Sequence, residues 1–187
     1  MYKVKEARQL LQNKYQLLTL RDIGCEEELP ETQRTIAGNA MQKALYVFEK
    51  YGQNCIADDT GLEVAALGGR PGVYSARYAG AHATAESNMR KLLTEMKGET
   101  KRDALFRTVI ALILDDRRFA FEGVIEGTIA YEPIGDGGFG YDPIFVPKQS
   151  NLSFAQMSPE EKNKLSHRAI AVNELYKHLL LQQQFIK

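Results

Sequence analysis

The stretch ALFRTVIALILDDRRFAFEGVIEGTIA, Ala104–Ala130, decides how this chain folds. Two β-rich runs, Ala104–Asp115 and Arg118–Ala130, flank a tight Asp115-Asp116-Arg117 turn. Branched and aromatic residues bounded by turn formers predict an antiparallel hairpin. The longest apolar run, Val109–Leu114, falls far short of the roughly 20 residues that cross a bilayer. No charged leader and apolar core of a signal segment precede the fold, so a soluble cytoplasmic protein without membrane partners is expected.

Upstream of the hairpin, Thr84–Lys97 reads as a helix with Met89, Leu92, Leu93 and Met96 inward. A helix from Ile36 to Tyr51 would bury Ala37, Ala40, Met41, Ala44, Leu45 and Phe48, with Gly52 as its stop. Cys55–Asp59 is a short strand running into two acids, and Gly61–Val64 continues it. Tyr15–Leu20 is a further strand candidate, and Met1–Leu11 a first helix. Gly24–Gln33 is an acidic loop. Downstream, the loop Pro133–Tyr141 leads to a strand at Pro143–Val146. Ser158, Pro159 and Glu161 form a capping box. The last helix runs from near Ser166 to about Gln184, with Ala169, Val172, Leu175, Tyr176 and Leu179 on one side. Mixed helices and strands with an antiparallel pairing give an α/β or α+β sheet protein.

The 187 residues fit one domain or two small lobes, large enough to bury roughly 70% of the unfolded surface without staples. Lysine and arginine total 24, as do aspartate and glutamate. This balance argues against a general nucleic-acid binder. Cys25 and Cys55 lack metal-ligand spacing and suit a reducing compartment.

Four segments could carry chemistry. In Ala57-Asp58-Asp59-Thr60-Gly61, alternation along a strand sends Asp58 and Asp59 to opposite faces. One suits a magnesium ion and an attacking water, the other structure; a plain aspartate turn is the competing reading. Gly135–Pro143 holds four glycines among Phe139, Tyr141 and Asp142. It suits close approach to a flat base, though its spacing is not that of a P-loop. Glu160–Arg168 sets Lys162, His167 and Arg168 near a helix start, where anions are favoured. An ordinary solvated helix explains that pattern equally well. Pro30-Glu31-Thr32 and Asn39–Lys43 read in isolation as surface residues.

In this order, ADDTGL (57–62), PGVYSARY (71–78), GFGYDP (138–143) and Glu161-Lys162 with Ser166-His167-Arg168 resemble the signatures of the inosine triphosphate pyrophosphatase family. The resemblance runs from Lys3 to the last helix. It implies a single domain over residues 1–187, with an elongated mixed β-sheet flanked by helices and two lobes around a central cleft. It also implies a homodimer that hydrolyses ITP, dITP and XTP to the monophosphate and pyrophosphate. Asp59 is the implied general base, and Glu31 and Asp59 the implied Mg2+ ligands. Lys3, Lys43 and Lys162 are the implied phosphate clamps, with Thr60 beside them. Phe139 would stack on the base, while Gly140, Tyr141 and Asp142 shape its pocket and His167 and Arg168 read the purine edge. A donor-only arginine suits the oxygen at purine position 6 and mismatches the amino group of adenine. The family's first motif is Thr/Ser-x-Asn-x-x-Lys at the end of an apolar strand. Lys3 matches its lysine, while the strand, Thr and Asn fall before Met1, so a start at an internal methionine is expected. A nucleotide-binding protein with impaired catalysis is the alternative that follows.

Overall fold

The computed structural model describes residues 16–184. The helix expected at Met1–Leu11, and Lys3 with it, lies outside them. The described chain forms α1 (Ile36–Tyr51), β1 (Cys55–Val64), α2 (Ala85–Glu95), β2 (Asp103–Leu114), β3 (Arg117–Ile129), β4 (Phe145–Pro147), α3 (Pro159–Leu165) and α4 (His167–Gln184), with short 3-10 turns between them. The strands lie in the order β1-β2-β3-β4.

The β2–β3 hairpin turns on Asp115 and Asp116, with φ of 49° and 63°. Both central residues are left-handed, as the twist-matched two-residue turn demands, and aspartate is among the few side chains that tolerate this. Asn54 holds the turn: its Oδ1 accepts from Asp115 N–H at 2.9 Å, and its Nδ2 donates to the Asp115 carboxylate at 3.0 Å. β3 alternates from Gly123 to Ile129, buried then open, whereas Val109–Ile113 of β2 is buried at every position. β4 pairs antiparallel with β3, Gly127 facing Pro147 and Ile129 facing Phe145.

The chain divides into two compact units. Among the described residues, one comprises 16–59, 109–123 and 168–184, and the other 60–108 and 124–167. Each has its own apolar cluster. In the first, Ile110 and Leu112 pack with Ala171, Val172 and Leu175 of α4. In the second, Leu62, Val64, Leu92, Met96, Phe106, Ile129, Phe145 and Phe154 form the centre.

Three expectations need correction. Residues 16–20 form no strand; Thr19 N–H and Oγ1 both donate to Asp22 Oδ2 (2.7 and 2.8 Å), and a 3-10 turn, Arg21–Ile23, follows. Local side-chain bonds displace a strand ladder there. The strand expected at Pro143–Val146 begins later, because Asp142–Ile144 is a 3-10 turn with proline in its first positions. On α1, the buried face is Ile36, Asn39, Ala40, Lys43, Ala44 and Val47 rather than the stripe through Ala37, Met41 and Leu45. The polar pair Asn39 and Lys43 faces inward because partners from neighbouring segments satisfy it.

Candidate active site

β1 is continuous from Cys55 to Val64, so Asp58 and Asp59 sit within one strand rather than at the end of a short one. Asp59 Oδ1 accepts from Lys43 Nζ at 3.0 Å, and the same ammonium donates to Glu31 Oε1 at 2.7 Å. Asp58, its neighbour, meets Arg168 Nη2 at 3.4 Å. The two acids therefore serve different partners, as strand alternation requires. Lys43 is 9% exposed and Arg168 6%. Burial pulls the Lys43 ammonium down, but Glu31 and Asp59 outweigh it and leave it above the usual lysine range. Burial pushes the Asp59 carboxyl up further than Lys43 draws it down.

The loop that carries Glu31 is tied to α1 on both sides. Before it, Glu27 Oε1 accepts from Lys50 Nζ (2.6 Å), Tyr51 OH (2.8 Å) and Tyr46 OH (3.1 Å). After it, Thr32 N–H donates to Gln42 Oε1 at 2.9 Å while Gln42 Nε2 donates to Thr32 Oγ1 at 2.8 Å. Gln33 N–H donates to Asn39 Oδ1 at 2.9 Å. Thr35 caps α1 by accepting from Gly38 N–H at 3.0 Å.

In the second unit, Asp142 is buried, and its Oδ2 accepts from Phe139 N–H at 2.7 Å and from Lys162 Nζ at 2.5 Å. Lys162 lies 4.5 Å from the centroid of the Phe139 ring, which is half exposed. Gly138 has φ +72°, and a Cβ there would run into the Asp142 carboxylate. Gly140 has φ +63°. Tyr141 is buried, its OH donating to Ser75 O at 2.9 Å. Thr60 and Thr108 share a hydroxyl hydrogen bond of 2.7 Å. His167 stacks on Phe106 with centroids 4.8 Å apart. The loop thus leaves the Phe139 ring half exposed with a cation over it, while its carboxylate is consumed internally.

Glu31 and Asp59 are the carboxylates that converge on one cationic point. No cluster of three or more His, Cys, Asp or Glu side chains suited to a metal occurs among the described residues. Two hard oxygen ligands do not enclose an ion, but Mg2+ is held by one or two carboxylates with substrate phosphates and water completing its shell. The donor set fits that ion.

A model of the Ham1 family matches residues 1–178. The chain belongs to the Ham1 family. This Ham1 chain is 53% identical over 180 residues to the dITP/XTP pyrophosphatase of Porphyromonas gingivalis, covering 96% of this chain and 93% of that protein. It is 46% identical to the Bacillus subtilis protein of the same description, covering 95% and 91%. The Ham1 protein of Staphylococcus aureus superposes with a TM-score of 0.91 at 36% identity, covering 97% and 95%.

The sequence reading of this Ham1 chain missed Asn39 and Gln42 as parts of the site, and missed the Asp58–Arg168 pair. Asn39 and Gln42 each follow a polar loop residue by too many positions for a local motif. Asp58 and Arg168 are 110 residues apart.

Proposed function

We propose that this protein hydrolyses non-canonical purine nucleoside triphosphates, ITP, dITP and XTP, to the monophosphate and pyrophosphate, with Mg2+ as cofactor. The observation that carries the reading is the convergence of Glu31, Asp59 and Lys43 in a chain of the Ham1 family. Water oxygen bonds to the α-phosphorus, the α–β bridging bond breaks, and pyrophosphate leaves with its electron pair. The water's proton passes to Asp59, the general base of this proposal. Mg2+, held by Glu31 and Asp59, would supply charge neutralisation to the phosphate oxygens. Lys43 and Lys162 add donors for developing negative charge, with Lys3 as a third lysine and Thr60 as a further substrate contact. Phe139 stacks on the base, Gly140, Tyr141 and Asp142 set that ring, and His167 and Arg168 read the purine edge. A homodimer in a reducing cytoplasm belongs to the same proposal; the two free thiols support the compartment.

The test is pyrophosphate release from ITP, XTP, dITP, ATP and GTP with Mg2+. The first three are expected to turn over much faster than ATP. Equal rates on ATP and ITP, or nucleotide binding without pyrophosphate release, would overturn the proposal. Asp59→Asn is expected to lower kcat by at least about a hundredfold while nucleotide still binds.

A further inference from the structure

Among the described residues of the first unit, the side-chain amide of Asn39 is buried with its nitrogen unsatisfied. The residue is entirely buried, at 0% exposure. Its Oδ1 accepts from Gln33 N–H at 2.9 Å, two residues beyond Glu31. A backbone N–H can only donate, so the oxygen must face Gln33, and this fixes which way the amide lies. The Nδ2 is consequently directed away from the loop. It is sealed from water and makes no hydrogen bond of ordinary length. The carboxylate it acts on is Asp59, whose charged form it favours.

A buried donor left without a full bond costs roughly 1–3 kcal/mol, and native structures keep few of them. Leucine or alanine would remove the orphaned donor and suit the helix better, but would leave Gln33 N–H without its acceptor. The oxygen therefore has a structural use, and the nitrogen has none. Asn39 also sits one turn before Lys43 on the same buried face of α1. One helical turn therefore puts the amide on the same buried face as the ammonium that bonds Asp59.

We infer that Asn39 is a positioning residue of the hydrolytic site, fixing the Asp59 carboxylate relative to the loop that bears Glu31. Its oxygen holds the loop, and its nitrogen is reserved for Asp59 when that carboxylate turns from Lys43 to another cation. Losing a partner that orients a ligating carboxylate typically costs roughly 10–100-fold in metal affinity or activity. The inference rests on the proposed Mg2+-dependent hydrolysis, yet it has a readout that needs no nucleotide.

Asn39→Leu, which keeps the volume, and Asn39→Ala are compared with the wild-type chain. Mg2+ is titrated calorimetrically without nucleotide, and ITP hydrolysis is followed over a range of Mg2+ concentrations. Both variants are expected to bind Mg2+ 10–100-fold more weakly, with the nucleotide KM at saturating Mg2+ within about threefold of wild type. In the 15N-labelled wild type, the Asn39 side-chain resonances are expected to shift on Mg2+ addition. Mg2+ affinity within threefold of wild type in either folded variant would overturn the inference, whatever its melting temperature. If neither variant folds, an unmoved Asn39 resonance at saturating Mg2+ overturns it and a shifted one supports it. Failure of the wild type to cleave ITP would instead count against the proposed function.

Discussion

Replacing Lys43 by methionine removes one charge while keeping most of the side-chain volume. Its ammonium is 2.7 Å from Glu31 and 3.0 Å from Asp59. At an effective dielectric near 20, each contact has a gross attraction of about 5–6 kcal/mol. Most of this is offset by taking the charges out of water. Breaking a fully buried pair costs about 3–5 kcal/mol, and an exposed one at most about 1. The side chains of Lys43 and Asp59 are 11% and 13% exposed and that of Glu31 is 32%, so the site lies nearer the buried limit for Asp59 and between the limits for Glu31. A loss of roughly 2–3 kcal/mol follows, with two carboxylates left facing each other. Urea denaturation at pH 7 reads it directly. Mg2+ should then stabilise the variant more than the wild type, because the ammonium no longer competes for the two carboxylates. A tenfold excess of Mg2+ over its Kd restores about 1.4 kcal/mol. A loss below about 0.5 kcal/mol, or a deficit that Mg2+ leaves unchanged, would refute the reasoning.

Arg102 is 8% exposed and donates to the carbonyls of Ile129 (2.6 Å) and Ala130 (2.8 Å), with its guanidinium 4.3 Å over Tyr131. Arg102→Met should cost about 2–4 kcal/mol in urea unfolding, since it strips a charged donor from two carbonyls. At Gly127 a Cβ would run into Val146 O and the Phe145 ring, so Gly127→Ala should cost about 1–3 kcal/mol by forcing β3 and β4 apart. The Lys50 ammonium first, then Tyr51, holds the Glu27 carboxyl down at about 2, against an ordinary 4.5. A depressed carboxyl stabilises the fold above 4.5 and loses that contribution as pH falls towards 2. The melting-temperature gap between wild type and Glu27→Gln should therefore be full at pH 6, shrink below 4.5 and close near 2.

Much of the fold was legible because its signals are local. The hairpin is written in two β-rich runs around consecutive aspartates, and both adopt the left-handed conformation the turn requires. The Ser158–Glu161 capping box closes as read, with Ser158 N–H donating to Glu161 Oε2 and Glu161 N–H to Ser158 Oγ. Gly52 ends α1 with φ +63°, its N–H reaching Phe48 O. The exception near Thr19 is also local, but hydroxyl and carboxylate chemistry there competes with apolar periodicity rather than adding to it.

By itself, the sequence determined most of the helices and strands, the stop of α1 at Gly52, the Ser158–Glu161 cap, the hairpin turn and the motifs that mark the family. Each of these depends on residues within a few positions of one another. Tertiary structure alone decided that α1 turns Asn39 and Lys43 inward, that Glu31, Lys43 and Asp59 meet at one ammonium, and that Asp58 is given to Arg168. Periodicity assigns polar residues to the solvent side, because burying them unpaired is costly. That rule is reversed only when distant chain segments bring the matching charge, 12, 16 and 110 residues away in these three pairs.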